Sequence, residues 1–267
     1  MLREHLQIMT QDKMTEVINF FNDCDKTQPF SIHNISKIAR KEYGILPGDW
    51  YNPSQISLIL STLNQSYLEN KINLSFLIFN SGNLFFDQII EVMMNGKGVT
   101  YCNCPAVKKQ LICDKCNNSE RSIGLVLLTR IGLDSPEEKY LHVLGEMMKF
   151  KQFKGVIGGK PGKALYFLGL HNESSFIYLD PHYVQTANGD IHQIKQSYFC
   201  GSFRTCKAKN IDPSVGISYY LRNLTELNQF YAEIIKLRET YQDDFFIWAS
   251  NETPSYLTKS IRISKCF

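Results

Sequence analysis

The sequence predicts an α+β fold, with a helical N-terminal part followed by a part dominated by a β-sheet. Amphipathic helical patterns occupy the first third of the chain, and short apolar runs typical of buried strands follow. Of the 267 residues, 43% are hydrophobic and 12% are aromatic, which is enough for one large domain or two closely packed lobes. We expect residues 1–267 to form a single domain.

The three N-terminal helices are predicted from apolar spacing and from residues that begin or end helices. The first helix follows Thr10, an N-cap residue type. The second begins at Ser31 and ends at Gly44, because glycine adopts a left-handed C-cap conformation most easily. The third begins near Pro53, since proline suits a first helical turn. Apolar residues recur at helical spacing in each: Met14, Val17, Ile18 and Phe21; Ile35, Ile38 and Ala39; Ile56, Ile59, Leu60 and Leu63.

The sheet is predicted from apolar runs that are too short for helices. The expected strands are Leu74–Phe79, 123–129, 155–157, 164–170 and 176–182. Residues 135–138 have the pattern of a capping box with proline at the first helical position, so a helix is expected to begin there. A late helix is expected from Thr225. The apolar residues assigned to these two helices are Leu141, Leu144 and Met148, and Leu227, Phe230, Tyr231, Ile234 and Leu237.

Charge and apolar runs narrow the class of protein. Lys and Arg number 29 against 26 Asp and Glu, so no strong field attracts nucleic acid or an anionic membrane. No apolar run approaches the roughly 20 residues that span a bilayer, and the first residues lack a secretory apolar region. Eight cysteines fit reduced thiols better than a disulfide scaffold. We expect a cytoplasmic protein without nucleic-acid partners.

The segment Tyr178-Leu179-Asp180-Pro181-His182 carries the clearest chemical signal. Strand side chains alternate, so Asp180 and His182 are expected on one face, and Pro181 favours an extended conformation at Asp180. A carboxylate beside an imidazole can fix the ring tautomer and stabilise the imidazolium partner of a cysteine thiolate. The pair supplies two groups of a Cys-His-Asp site. On spacing alone, a structural Asp-His pair at a strand end is the commoner explanation.

Six segments, in chain order, resemble the autophagins, the cysteine endopeptidases of autophagy. The resemblance spans nearly the whole chain and implies a papain-like fold with a central, mostly antiparallel sheet. The segments are Phe30-Ser31-Ile32-His33, Gly48-Asp49-Trp50-Tyr51-Asn52-Pro53-Ser54, Gly155-Val156-Ile157-Gly158-Gly159-Lys160-Pro161, Ala164-Leu165-Tyr166-Phe167-Leu168-Gly169, Tyr178-Leu179-Asp180-Pro181-His182 and Asp212-Pro213-Ser214.

The resemblance also implies roles for individual residues. The residues that match Asp180 and His182 are the orienting acid and the general base in that family. Trp50 matches a tryptophan that covers the substrate's glycine, although a tryptophan taken alone is more often a core residue. Gly158 and Gly159 lead to Pro161, in a loop that gates the cleft, and these residues are expected to bind substrate.

The implied reaction is cleavage after the C-terminal glycine of a ubiquitin-like autophagy modifier. This would process the modifier's precursor and release the modifier from phosphatidylethanolamine. No cofactor is expected for catalysis, and membrane contact is expected only through the lipidated substrate. The alternative is a non-catalytic protein that binds the modifier without cutting it.

The position of the nucleophile departs from the family. Its cysteine lies in a Gly-Trp-Gly-Cys-Met-Leu-Arg type motif at a helix start, where the helix dipole lowers the pKa of a thiol. This chain opens with Met1-Leu2-Arg3, so the nucleophile is expected immediately before Met1 and the chain as given is expected to be inactive. Cys24 is a poor substitute because no helix start directly follows it.

A cysteine-rich insertion is expected at residues 101–120. Cys102, Cys104, Cys113 and Cys116 form a C-x-C-x8-C-x-x-C array, and four thiolates can close a tetrahedral zinc site. The sequence therefore allows a structural zinc, with an ordinary cysteine-bearing loop as the alternative. The family resemblance implies no metal here, and a zinc-dependent adaptor would leave the other motifs unexplained.

Overall fold

A seven-stranded mixed sheet forms the centre of the computed structural model, which describes residues 1, 11–98, 110–183 and 202–257. The strands of this sheet are β1 (Leu74–Phe79), β3 (Ser122–Arg130), β4 (Phe153–Lys160), β5 (Lys163–Asn172), β6 (Ser175–Leu179), β7 (Arg204–Lys207) and β8 (Ser214–Leu221), and a smaller sheet pairs β2 (Asn83–Phe85) with β9 (Trp248–Ser250).

The strand order across the large sheet is β1-β3-β8-β4-β5-β6-β7. The β1–β3 pair is parallel, and every other neighbouring pair in this sheet is antiparallel. The sheet is thus mostly antiparallel and follows a helical N-terminal part, which confirms the predicted fold class.

Seven α-helices pack around the sheets in the described residues. They are α1 (Gln11–Asn19), α2 (Ile32–Tyr43), α3 (Pro53–Tyr67), α4 (Glu69–Ile72), α5 (Phe86–Met93), α6 (Glu138–Met147) and α7 (Leu224–Tyr241), with short 3-10 helices at Ala208–Asn210 and Gln242–Asp244. None of the described helices is long and apolar enough to cross a membrane.

The predicted ends of α2 and α3 are confirmed in detail. The Ser31 side chain accepts a hydrogen bond from the Asn34 amide, and Gly44 closes α2 in the left-handed region at φ 66°. Asn52 and Gln55 form a reciprocal capping box in front of α3, with Pro53 in its first turn. Side-chain oxygens at these positions bind backbone N–H groups that the helix leaves unpaired.

The predicted capping box at residues 135–138 is wrong. Helix α6 begins at Glu138, and its N-cap residue, Glu137, makes no side-chain cap hydrogen bond. The Glu137 amide instead donates to the Ile131 carbonyl at 2.8 Å. An added Cβ on Gly132 would lie 2.0 Å from the Ser135 carbonyl oxygen, so the chain folds tightly back on itself here. This tight loop occupies the residues that the pattern assigned to a helical first turn.

Strand β8 and helix α5 were not predicted from the sequence. Strand β8 lies between β3 and β4, and all of its residues after Ser214 are buried. Gly216 lets Leu128 pack across this strand, because an added Cβ there would lie 3.1 Å from the Leu128 side chain. Burial on both faces removes the alternation that marks a half-exposed strand, which explains why β8 gave no period-two signal.

Two apolar cores lie against the large sheet. Tyr219 belongs to the larger core with residues of α5, α6 and α7, whereas Tyr220 belongs to the smaller core with residues of α2 and α3. Consecutive strand residues point to opposite faces, so β8 joins the two cores. Met1 packs against the smaller core. Both cores therefore contain residues of the same sheet.

Candidate active site

The pair Asp180 and His182 lies directly after β6, which ends at Leu179. The predicted strand 176–182 is therefore too long, and the two side chains do not meet through strand alternation. Asp180 Oδ1 instead accepts the His182 backbone N–H at 3.1 Å and lies 2.8 Å from His182 Nδ1. A turn through Pro181 brings both groups to one carboxylate oxygen.

The carboxylate of Asp180 is buried while its imidazole partner is accessible. The Asp180 side chain is 3% exposed, and that of His182 is 39% exposed. A buried acid next to an exposed base can orient the ring and leave its second nitrogen open to a substrate. This geometry suits proton transfer at His182 Nε2.

Two further cations face the second oxygen of Asp180. Lys163 Nζ lies 2.7 Å from Asp180 Oδ2, and Arg204 Nη1 lies 3.8 Å from the same atom. The Lys163 ammonium, followed by the bonds from His182, holds the pKa of Asp180 well below its usual range. The same contact raises the pKa of Lys163. Asp180 is therefore an anion at neutral pH and acts as an orienting charge.

Sheet register explains how these groups converge. Lys163 begins β5, Leu179 ends β6, and Arg204 begins β7. Antiparallel pairing sets Tyr166 opposite Leu179 and Tyr178 opposite Arg204, so the three strand ends lie at one side of the sheet. Sequence reasoning missed Lys163 and Arg204, because only this pairing brings them to the carboxylate.

Trp50 lies in the loop between α2 and α3 and beside His182. The residue is 63% exposed, which excludes the core position that is commonest for tryptophan. The ring centroids of Trp50 and His182 are 6.2 Å apart at an interplanar angle of 47°. An exposed indole next to the imidazole can restrict the space above it.

Gly158, Gly159 and Pro161 belong to the β4–β5 hairpin. Both glycines lie in β4, and Pro161 and Gly162 form the two-residue turn between the paired Lys160 and Lys163. An added Cβ on Gly159 would lie 2.3 Å from the Lys163 carbonyl oxygen, so glycine allows this close approach. The glycines shape the hairpin, and Pro161 stands at its tip, two residues before the lysine that contacts Asp180.

The described cysteines occupy sites unlike that of an activated nucleophile. Cys24 is exposed in the segment after α1, and α2 begins only at Ile32. Cys206 is buried in β7, and this burial raises the pKa of its thiol and disfavours the thiolate. Cys113 and Cys116 lie in a turned segment before β3. The nucleophile expected before Met1 stays a prediction.

The described half of the cysteine-rich segment is anchored to α7 by side chains. Asn228 forms hydrogen bonds with both the backbone N–H and the carbonyl of Ile112, and Thr225 donates to Asp114. The predicted ligands Cys102 and Cys104 lie outside the described residues. Within the described ranges, no group of three or more potential metal ligands is found. The zinc site therefore stays a prediction.

The mostly antiparallel sheet with its surrounding helices fits the class of papain-like cysteine peptidases, and the imidazole beside a carboxylate at one side of the sheet agrees with that class. Residues 2–233 match the sequence model described as the Peptidase C54 catalytic domain. The chain belongs to the Peptidase C54 family, whose members include the autophagins that the sequence motifs indicated.

Individual relatives agree with this assignment. The chain is 27% identical over 226 residues to a probable cysteine protease ATG4 of Scheffersomyces stipitis, covering 82% of this chain and 39% of the relative. It is 29% identical to the cysteine protease ATG4 of Medicago truncatula, covering 84% and 46%, and 30% identical to the cysteine protease ATG4A of Oryza sativa subsp. japonica, covering 80% and 45%. The chain thus spans less than half the length of these relatives.

Proposed function

We propose that this chain forms the peptidase domain of a cysteine endopeptidase that cleaves after the C-terminal glycine of a ubiquitin-like autophagy modifier. The contact of His182 with the buried, charged Asp180 carries the proposal. Its substrates would be the modifier's precursor and the modifier bound to phosphatidylethanolamine. The domain would span residues 1–267, with residues 101–120 as an insertion, and would act in the cytoplasm without nucleic acid.

The proposed reaction has two halves that both use His182. A cysteine thiolate attacks the glycine carbonyl carbon, and the imidazolium gives its proton to the leaving amine as the C–N bond breaks. The leaving amine is that of the next residue in the precursor or that of phosphatidylethanolamine. Water then attacks the thioester while His182 accepts its proton, and the thiolate leaves with the modifier's glycine carboxylate formed. No cofactor is required.

Asp180 would keep one ring orientation through both halves. A carboxylate at Nδ1 selects the tautomer with hydrogen on that nitrogen and stabilises the imidazolium as it forms. Because neighbouring cations lower the pKa of Asp180, the carboxylate stays charged and does not take the proton. Proton transfer is therefore assigned to Nε2 alone.

Trp50 would select glycine by steric restriction. Its exposed indole lies close to the ring of His182, so a substrate backbone that reaches the base must pass the indole. A side chain on the substrate residue would compete for that space, whereas glycine leaves it open. Membrane contact is proposed only through the lipidated modifier.

Cleavage of a purified modifier precursor tests the proposal. The chain should be compared with a version that carries the preceding coding sequence, and the products should be weighed by mass spectrometry. We expect the extended version to cut after glycine, to lose activity after thiol alkylation, and to reject a substrate with phenylalanine at that position. Cleavage that resists alkylation, or that tolerates phenylalanine equally, would contradict the proposed chemistry.

A further inference from the structure

The two oxygens of Asp180 have different partners. Oδ1 accepts the His182 backbone N–H and lies 2.8 Å from the ring nitrogen Nδ1. Oδ2 faces Lys163 Nζ at 2.7 Å and Arg204 at 3.8 Å. His182 therefore contacts one oxygen of the carboxylate, and the two cations contact the other. A carboxylate held at both oxygens cannot rotate without breaking an ion pair.

Lys163 is the first residue after the Pro161-Gly162 turn. Gly162 has a left-handed φ of 74°, and Gly159 permits close backbone contact with Lys163. The turn thus sets the direction in which the Lys163 side chain leaves the backbone. That side chain is 44% exposed. Its ammonium connects the tip of the β4–β5 hairpin to the buried acid.

Arg204 is a weaker candidate for the same task. Its guanidinium lies 4.7 Å from the centre of the Tyr183 ring, and its distance to Asp180 is more than 1 Å longer than that of Lys163. Cation–π contact with Tyr183 offers Arg204 a competing partner. Lys163 therefore makes the principal contact at Oδ2.

We propose that Lys163 is a positioning residue that holds the Asp180 carboxylate in place for His182 and ties the Pro161 turn to it. This inference rests on the proposed function for the roles of Asp180 and His182. Lys163 acts through Asp180 and does not itself contact the reacting atoms.

The charged and titratable groups near Asp180 determine what the removal of Lys163 changes. They are Lys163 on β5, Tyr178 on β6, His182 and Tyr183 after β6, and Arg204 on β7. Removal of Lys163 takes away one nearby positive charge and leaves the others. The Oδ2 side of Asp180 then keeps Arg204 at 3.8 Å, so the carboxylate is held less firmly beside the His182 ring.

The test compares ring ¹⁵N NMR spectra of the 267-residue chain in wild-type, Lys163→Gln and Lys160→Gln forms at one fixed pH. The His182 ring signals are assigned by their loss in His182→Ala. Among neutral His182 rings, we expect the fraction with hydrogen on Nδ1 to fall by about twofold or more in Lys163→Gln, because Asp180 is held less firmly at that nitrogen. Lys160→Gln is the matched control, because Lys160 lies at the other end of the same turn, 5.5 Å from the centre of the Tyr178 ring.

Amide hydrogen exchange supplies a second readout. The backbone amide at position 163, which pairs with Lys160 across the turn, should exchange about tenfold faster relative to its unfolded rate in Lys163→Gln, because the turn loses its tether, and Lys163→Arg should restore slow exchange. Neither the tautomer fraction of His182 nor the amide exchange should change appreciably in Lys160→Gln. An unchanged tautomer fraction, or unchanged amide exchange, in Lys163→Gln would overturn the proposal.

A double variant separates action through Asp180 from direct charge repulsion. In an Asp180→Asn background, Lys163→Gln should change the His182 tautomer fraction by less than half of its effect in the parent chain. Equal changes in both backgrounds would refute a role through Asp180. None of these measurements needs catalysis, so they can fail while modifier cleavage succeeds, and cleavage can fail while they succeed.

Discussion

Asp180 Oδ1 lies 2.8 Å from His182 Nδ1, although the two residues are separated by a proline and the strand has already ended. The close contact arises from a turn in which the same oxygen also accepts the His182 backbone N–H. The acid and base are therefore brought together by local backbone geometry, and the neighbouring strands supply the cations at the other carboxylate oxygen. This division explains why the pair is recognisable from a five-residue segment.

Loss of His182 should abolish the proposed reaction while the fold persists. In the version that carries the preceding coding sequence, we expect His182→Ala to lower cleavage of the modifier precursor by about 1000-fold or more. Asp180→Ala should lower it by about 100-fold or more, because the ring loses its orientation. Circular dichroism should confirm that both variants fold. Near-normal turnover in folded variants would remove this pair from the mechanism.

The depressed pKa of Asp180 predicts an acid-dependent contribution to stability. Its folded-state pKa lies below the unfolded value of about 3.9, so the folded state gains stability above that pH and loses it as the pH falls through the folded pKa. Asp180→Asn should therefore lower the melting temperature at pH 7, and the difference from wild type should shrink below about pH 4.

The exposed Asp134 provides a matched control for that measurement. Asp134→Asn should leave the melting temperature nearly unchanged across the same pH range. If Asp180→Asn and Asp134→Asn have equal effects at pH 7, the ion pairs of Asp180 do not stabilise the fold.

The helix ends that single residues mark were the part of the fold that the sequence predicted best. Ser31, Gly44 and Pro53 mark helix ends through their own side chains or backbone preferences, and the structure confirms all three ends. The pattern at residues 135–138 failed because Glu137 bonds to Ile131, a contact that a helix-start motif does not reveal. Strand β8 was missed because it is buried on both faces and lacks alternation.

The same distinction applies to the candidate site, where contacts between sequence neighbours could be predicted and contacts between distant elements could not. Asp180 and His182 are neighbours in sequence, so their proximity could be predicted from the chain alone. Lys163 reaches Asp180 only through the pairing of β5 with β6, which no short motif encodes. The position of Trp50 next to His182 likewise depends on how the α2–α3 loop packs, and only the family resemblance suggested it.

Trp50 should contribute to cleavage far more than to stability. Because its side chain is mostly exposed, we expect Trp50→Ala to change the free energy of unfolding by about 0.5 kcal/mol or less. Modifier cleavage should fall by about tenfold or more, and discrimination against substrates with a larger residue in place of glycine should weaken. Denaturant titration and steady-state kinetics would measure the two effects separately.

Trp248 is the control for this prediction, since it is 51% exposed and packs edge-on against Phe85. Trp248→Ala should leave cleavage and glycine selectivity nearly unchanged. Equal losses of cleavage in the two tryptophan variants would indicate a general effect of removing a surface indole.

Gly159 should be intolerant of any side chain. A Cβ at this position would lie 2.3 Å from the Lys163 carbonyl oxygen, so the hairpin backbone must shift to admit alanine. We expect Gly159→Ala to destabilise the fold by about 2 kcal/mol, within the usual range for backbone strain. Among the described residues, no atom lies within 4 Å of where a Cβ on Gly98 would stand, so Gly98→Ala should be nearly neutral. Equal denaturation midpoints for the two variants would show that the hairpin adapts freely.

Metal content would separate the two interpretations of the cysteine-rich segment. If Cys102, Cys104, Cys113 and Cys116 bind zinc, the purified reduced chain should contain about one zinc, and Cys113→Ser with Cys116→Ser should remove it. If the segment is an ordinary loop, elemental analysis should find no metal, and its attachment should depend on the hydrogen bonds between Asn228 and Ile112. Asn228→Ala should then speed amide exchange at Ile112, whereas in the zinc-bound alternative the metal should keep that exchange slow. Zinc that survives loss of Cys113 and Cys116 would place any metal elsewhere in the chain.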